Sequence, residues 1–161
     1  MGIALLVIDM QKAFVEDKQN EINYETALWV INHTTKLFRT NDKPVIMIRD
    51  IEDGNGPEYG YIEALDVENS DIHVTKVFNN SFWKTNLEKI LKEKNIDTVV
   101  IAGNALEHCV TATYFGAKER GFRVLLLQQG IVADLPESLK KLYDVRPLVS
   151  YSALAAMFKS K

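Results

Sequence analysis

Three observations predict an α/β fold: a three-layer α/β/α arrangement with a doubly wound, six-stranded parallel sheet of Rossmann-like type. Four apolar runs, at residues 3–8, 45–48, 98–103 and 123–127, lack polar–apolar alternation, which is the pattern of strands covered on both faces. Between them lie stretches with apolar residues at helical spacing. Finally, 47% hydrophobic and 25% charged residues among 161 is the make-up of one ordinary globular domain, here residues 1–161.

The first strand, residues 3–8 (IALLVI), runs straight into Asp9. From residue 25 to 41, Ala27, Leu28, Val30, Ile31, Leu37 and Phe38 form an apolar stripe, with Asn32, Lys36 and Arg39 on the opposite face, so a helix is predicted there. Pro44 precedes the second strand at residues 45–48. Residues 50–70 carry Gly54, Gly56, Pro57 and Gly60 among acidic residues and read as a loop whose Ile62 and Leu65 must pack somewhere.

A short third strand spans residues 72–77. Thr85 with Glu88 three residues later matches a capping box for a helix through Leu87, Ile90 and Leu91, and Asn95 suits a left-handed stop. Residues 98–103 form the fourth strand and residues 109–120 the next helix, ended by Gly121. Residues 123–127 are the fifth strand. A helix near residues 136–143, a short strand at 148–150 and a last helix from Ser152 complete a series whose alternation implies a parallel sheet. The apolar Leu154, Met157 and Phe158 of that last helix could dock on their own sheet or cover a neighbour.

A net charge of -3 and a sequence pI near 5.6 provide no basic field for a phosphate backbone, so nucleic acid is not an expected partner. The single cysteine, Cys109, excludes an intrachain disulfide framework and a Cys-rich metal site. The first apolar run is too short to span a bilayer and lacks the flanks of a signal peptide. The expectation is a soluble, cytoplasmic protein without membrane association.

In open parallel sheets, ligands bind beyond the carboxyl ends of the strands. Asp9 follows the first strand, Lys76 closes the third, and Cys109 begins the helix after the fourth. A carboxylate at the end of an apolar strand needs a cationic or hydrogen-bonding answer, and Lys76 is the natural one. A cap at Asp9 with a solvated Lys76 explains the positions equally well. Cys109 at a helix start would have its thiolate favoured by free amides and by the dipole, whereas a buried inert thiol is the commoner role of a lone cysteine.

Leu6-Val7-Ile8-Asp9-Met10-Gln11, then Lys76 with Ser81-Phe82 and Thr85-x-Leu87, then Val99-Val100-Ile101-Ala102-Gly103 leading to Cys109-Val110, Ala117 and Gly121, together resemble the isochorismatase-like cysteine hydrolases. That superfamily includes nicotinamidases, N-carbamoylsarcosine amidases and isochorismatases. The resemblance extends in order from Ile3 to about Ala133. It implies a catalytic triad of Asp9, Lys76 and Cys109, an oxyanion hole from the backbone amides of Ala105 and Cys109, and a cis peptide between Asn104 and Ala105. The implied chemistry is attack of Cys109 on an amide or carbamoyl carbon, with Asp9 as acid and base and Lys76 as its electrostatic partner.

Two departures from the family pattern concern the pocket. Leu106 stands where many members have threonine, and Gln128-Gln129-Gly130 replaces an aspartate after the fifth strand. The segment Arg49-Asp50-Ile51-Glu52-Asp53 lacks the histidine of the Asp-x-His metal pair of nicotinamidases, so neither metal nor other cofactor is expected. His33, His73 and His108 have no metal-ligand spacing, and His108, adjacent to Cys109, is directed elsewhere by helix geometry.

Phe14, Phe78, Trp83, Leu106 and Tyr114 are candidates for the pocket wall, with core packing the competing role for Phe14, Phe78 and Tyr114. The partners expected are a small-molecule substrate and, by resemblance, further copies of the chain in a dimer or tetramer. Two alternatives stand beside the amidase: an isochorismatase-type vinyl ether hydrolase, and a non-catalytic member acting in binding or assembly.

Overall fold

Ile3, Leu5 and Val7 enter one apolar core while Ala4, Leu6 and Ile8 enter another on the opposite face. Both sets are buried, so no position of the strand is left for a polar residue, which explains the unbroken run. The computed structural model describes residues 2–19 and 23–159. Its strands are β1 (Gly2–Ile8), β2 (Val45–Asp50), β3 (Ile72–Lys76), β4 (Ile96–Gly103), β5 (Arg123–Ile131) and β6 (Leu148–Val149). They form one parallel sheet in the order β3-β2-β1-β4-β5-β6.

The helices are α1 (Lys12–Val15), α2 (Tyr24–Thr40), α3 (Leu87–Glu93), α4 (Thr111–Glu119), α5 (Pro136–Val145) and α6 (Tyr151–Lys159). Helix α2 supplies Ala27, Val30, Ile31 and Phe38, and α6 supplies Leu154, to the core of Ile3, Leu5 and Val7. Leu87 and Leu91 of α3, Tyr114 and Ala117 of α4 and Leu142 of α5 fill the other. Each fully buried aliphatic side chain contributes about 1.5–3 kcal/mol, and truncating Leu6 to alanine would cost about 2–5 kcal/mol. Phe158 packs edge-on against Phe38 at 5.2 Å, so α6 docks on its own domain. No helix among the described residues is long and apolar enough to cross a membrane.

Several local expectations need correction. Thr85 does not close a capping box: its hydroxyl donates to the Ser81 carbonyl (2.6 Å) and accepts from the Leu87 amide, while Glu88 turns to Lys92 and Arg120. Strand β5 continues four residues past Leu127 because Gln129 adopts φ 64° and lets the chain bulge, its amide donating to the Tyr143 hydroxyl (2.8 Å). Cys109 does not open a helix. It lies inside a π-helical turn, Leu106–Val110, that runs into α4. Asn95 does hold φ 54°, as a helix stop.

The order in which successive strands are added reverses at β1, which has β2 on one side and β4 on the other. A crevice opens beyond the carboxyl ends of β1 and β4 at such a point. Gly103, at φ 111°, is required there: a Cβ would sit 2.1 Å from the Ile8 carbonyl oxygen. The Asn104 amide donates to the same carbonyl (2.8 Å), so the turn after β4 lies directly over the end of β1.

Candidate active site

Asp9 leaves β1 at φ 50°, a left-handed conformation that aspartate tolerates better than most residues, and its amide is tied to the Ile48 carbonyl at 3.0 Å. Lys76 ends β3 two strands away. Its Nζ stands 2.8 Å from Asp9 Oδ2, 2.5 Å from Asp50 Oδ2 and 3.3 Å from Cys109 Sγ. The three residues singled out in the sequence therefore meet in one buried cluster, with Asp50 as a fourth member. Asp9 and Lys76 are each 2% exposed, so their charges are answered by one another and not by water.

Asp50 is held by Gln11, which is wholly buried. The Gln11 Nε2 donates to the Asp50 and Tyr59 carbonyls, and its Oε1 accepts from the Asp50 amide at 2.7 Å. Asp50 Oδ1 in turn accepts from the Glu52 amide. Asp50 stands at the carboxyl end of β2, as Asp9 follows that of β1. The loop leading into α3 is fastened to α4 by Ser81, whose hydroxyl and amide both meet Thr113 Oγ1, and it carries Asn79, whose Oδ1 lies 3.5 Å from the thiol.

Burial pushes the Asp9 carboxyl up to about 6 despite the pull of Lys76. Burial and then the Asp9 charge push the Cys109 thiol up to about 12. For Lys76, burial works against the ammonium, but the charge of Asp9 and the thiol beside it hold the group at about 12. The sequence left both a favoured thiolate and a buried thiol open at Cys109, and burial with the Asp9 charge favours the thiol. Cys109 lies within a helical turn in an apolar setting next to a carboxylate, so it rests as a thiol. Asp9 Oδ1 is buried and meets no N–H or O–H donor among the described residues; the Cys109 thiol is the donor hydrogen-bonded to this carboxyl group.

The cluster forms the floor of a cleft of about 370 Å³. Ala105 and Cys109, the two residues expected to offer backbone amides, both line it, and the Asn104–Ala105 peptide is cis. Of the five expected wall residues only Phe14 lines the cleft. Leu106 and Tyr114 are buried in the core beside Val110 and Ala117, Phe78 lies under the Lys84 ammonium at 5.4 Å, and Trp83 is 52% exposed outside it.

The wall is instead polar, with Lys18, Glu52, Asp53, Asn79, His108 and Asp134 facing the space. Lys18 Nζ donates to Asn104 Oδ1 (2.9 Å) and pairs with Asp134, which His108 Nε2 approaches at 3.3 Å. Glu107 caps the Asp134 and Leu135 amides (3.0 Å each). These loop residues look like ordinary solvated charges in the sequence, and only their tertiary placement reveals them.

A divalent metal fits this donor set poorly. The oxygens of Asp9 and Asp50 and the sulfur of Cys109 lie within 4.8 Å of one another, but the Lys76 ammonium already contacts all three residues. His73 is away from the cleft, 3.4 Å from the Tyr61 hydroxyl, and His33 stacks on Trp29.

A profile of the isochorismatase domain matches residues 3–142. The uncharacterized isochorismatase family protein YrdC of Bacillus subtilis is 32% identical over 141 residues, covering 81% of this chain and 73% of that protein. Maleamate amidohydrolase of Pseudomonas putida is 28% identical over 83 residues, 52% of this chain and 38% of that protein. Among solved structures, N-carbamoylsarcosine amidase from Thermoplasma acidophilum shares the fold with a TM-score of 0.81 at 22% identity, covering 93% of this chain and 95% of that one. With the profile running from β1 into α5, and with a relative 32% identical over 81% of the chain, the chain belongs to the isochorismatase family.

Proposed function

We propose that the protein is a metal-independent cysteine hydrolase that cleaves a small amide, carbamoyl or similar C–N substrate. The observation that carries this reading is the contact of Lys76 with both Asp9 and Cys109 beneath an open cleft, with the Asp9 carboxyl coupled to the Cys109 thiol. The amidase names among the relatives support the same class.

In the reaction, Asp9 takes the Cys109 proton as Sγ attacks the carbonyl carbon. That transfer removes the carboxylate charge that holds the thiol proton, while Lys76 stays beside the sulfur, so the thiolate is relieved as it forms. A carboxyl poised near 6 suits a group that must first accept a proton and then give it up near neutral pH. The tetrahedral oxyanion is met by backbone amides of the turn after β4. Asp9 returns the proton to the departing nitrogen, the C–N bond breaks, and a thioester remains on Cys109. Water, deprotonated by Asp9, releases the acid and restores the thiol.

The test is acid quenching of the enzyme with a panel of small amides, followed by intact-protein mass measurement and ammonia or amine release. The expected result is an acyl adduct confined to Cys109 and loss of all turnover in Cys109→Ala. Turnover that survives Cys109→Ala would refute the reading.

A further inference from the structure

Resting on the amidase reading, we infer that the substrate is a cation: a small amide bearing a protonated amine or similar group, held by Glu52 and Asp53. Five carboxylates line the cleft, and their partners differ. Lys76 lies against both Asp9 and Asp50 and can offset only one of them. Lys18 offsets Asp134. Glu52 and Asp53, exposed on the loop after β2, make no ion pair among the described residues. With Asp9 ionised, the described residues of the cleft carry an excess of three negative charges.

The adjoining depression, which shares Ala13 with the cleft, adds Glu16, Asp17 and Glu58 against Lys12 alone, and Lys12 reaches Glu63 at 3.4 Å. A cleft lined by one sign of charge concentrates ligands of the other sign. The buried Asp9 Oδ1, which meets no N–H or O–H donor among the described residues, can accept from an N–H of the scissile amide and so sets the reacting end of the substrate opposite Glu52 and Asp53. A dianionic substrate would meet Glu52 and Asp53 with nothing to offset them.

Because Cys109 is the only cysteine, thiol-specific reagents report on the cleft whether or not the enzyme turns over. Labelling is compared for the trimethylammonium-ethyl and sulfonatoethyl methanethiosulfonates, which match in size and differ in charge, each rate divided by that with free 2-mercaptoethanol. The cationic reagent should be favoured about tenfold or more at low salt, and the preference should collapse in E52Q/D53N and at high ionic strength. A ratio of one or below, or a ratio unchanged in the double variant, overturns the inference.

A second arm compares kcat/KM for β-alaninamide, butyramide and succinamate, with the cationic amide expected to lead. Faster turnover of the neutral or anionic amide also overturns the inference and leaves the hydrolase reading intact. A charge preference in labelling with no member of the wider amide and carbamoyl panel turned over contradicts the hydrolase reading and supports the cation site.

Discussion

Strand β3 has a cation-centred cluster at each end. At its start, Asp71 accepts two hydrogen bonds from Arg39 (2.9 and 2.7 Å), while Arg39 also reaches Asp66, Glu68 and the Asp66 carbonyl. Asp71 Oδ2 accepts from the Glu68 amide as well. At its end, Lys76 meets Asp9, Asp50 and Cys109. Both clusters place one cation among several acids, yet both side-chain oxygens of Asp71 accept from N–H donors, whereas one of Asp9 meets no N–H or O–H donor among the described residues. The satisfied cluster pins the acidic loop before β3 to α2. The cluster at the end of the strand keeps its carboxyl coupled to a thiol that faces a cleft, which is how a reacting group differs from a structural one.

Exchanging function for stability at the two ends separates them most sharply. Asp9→Asn or Cys109→Ala should lower amide turnover by about 10⁴-fold or more while leaving the urea midpoint close to wild type. A comparable loss of turnover from Arg39→Ala would erase the distinction. Arg39→Ala should instead cost about 3 kcal/mol of stability, because it leaves the Asp71 carboxylate buried without its cation. Turnover per folded molecule should stay near wild type, as measured by denaturant titration with an activity assay on the native fraction.

The pH dependence sharpens the same contrast. Burial raises Asp9 to about 6, so the working base is ionised above that value and protonated below it. Activity should fall as pH drops through about 6, approaching tenfold per pH unit further down, and Lys76 at about 12 should set no upper limb in the neutral range. A rate profile with a midpoint near the ordinary aspartate value would contradict the buried setting. The smallest effect expected is at the rim, where E52Q/D53N should raise KM for a cationic amide several-fold with kcat retained.

The strands were legible because burial on both faces leaves no room for a polar residue in runs such as 3–8. Asp9, Lys76 and Cys109 were legible because strand ends in a parallel sheet point at the ligand crevice, and the family resemblance links them. Asp50 closes β2 in the structure, but the apolar run ends at Ile48, so in sequence Asp50 is indistinguishable from the acids of the following loop. The wall was not legible. Aromatics near the motif residues, such as Tyr114 and Trp83, went to the core or the surface, and the true wall comes from charged loop side chains such as Lys18 and Asp134, 116 positions apart in sequence. The π-helical turn around Cys109 has no periodic signature, which is why the sequence places a helix start there.

The most direct measurement is the pH profile of iodoacetamide labelling at Cys109 in the wild type beside Asp9→Asn. If Asp9 takes the thiol proton, the reactive pair of thiolate and protonated Asp9 is populated in constant proportion once the pair has lost one proton. Wild-type labelling should then rise with a midpoint near 6 and level off, and Asp9→Asn should lose that phase. A single midpoint near the free-thiol value of about 8.5, the same in both proteins, would contradict the pairing of Asp9 with Cys109 on which the account stands.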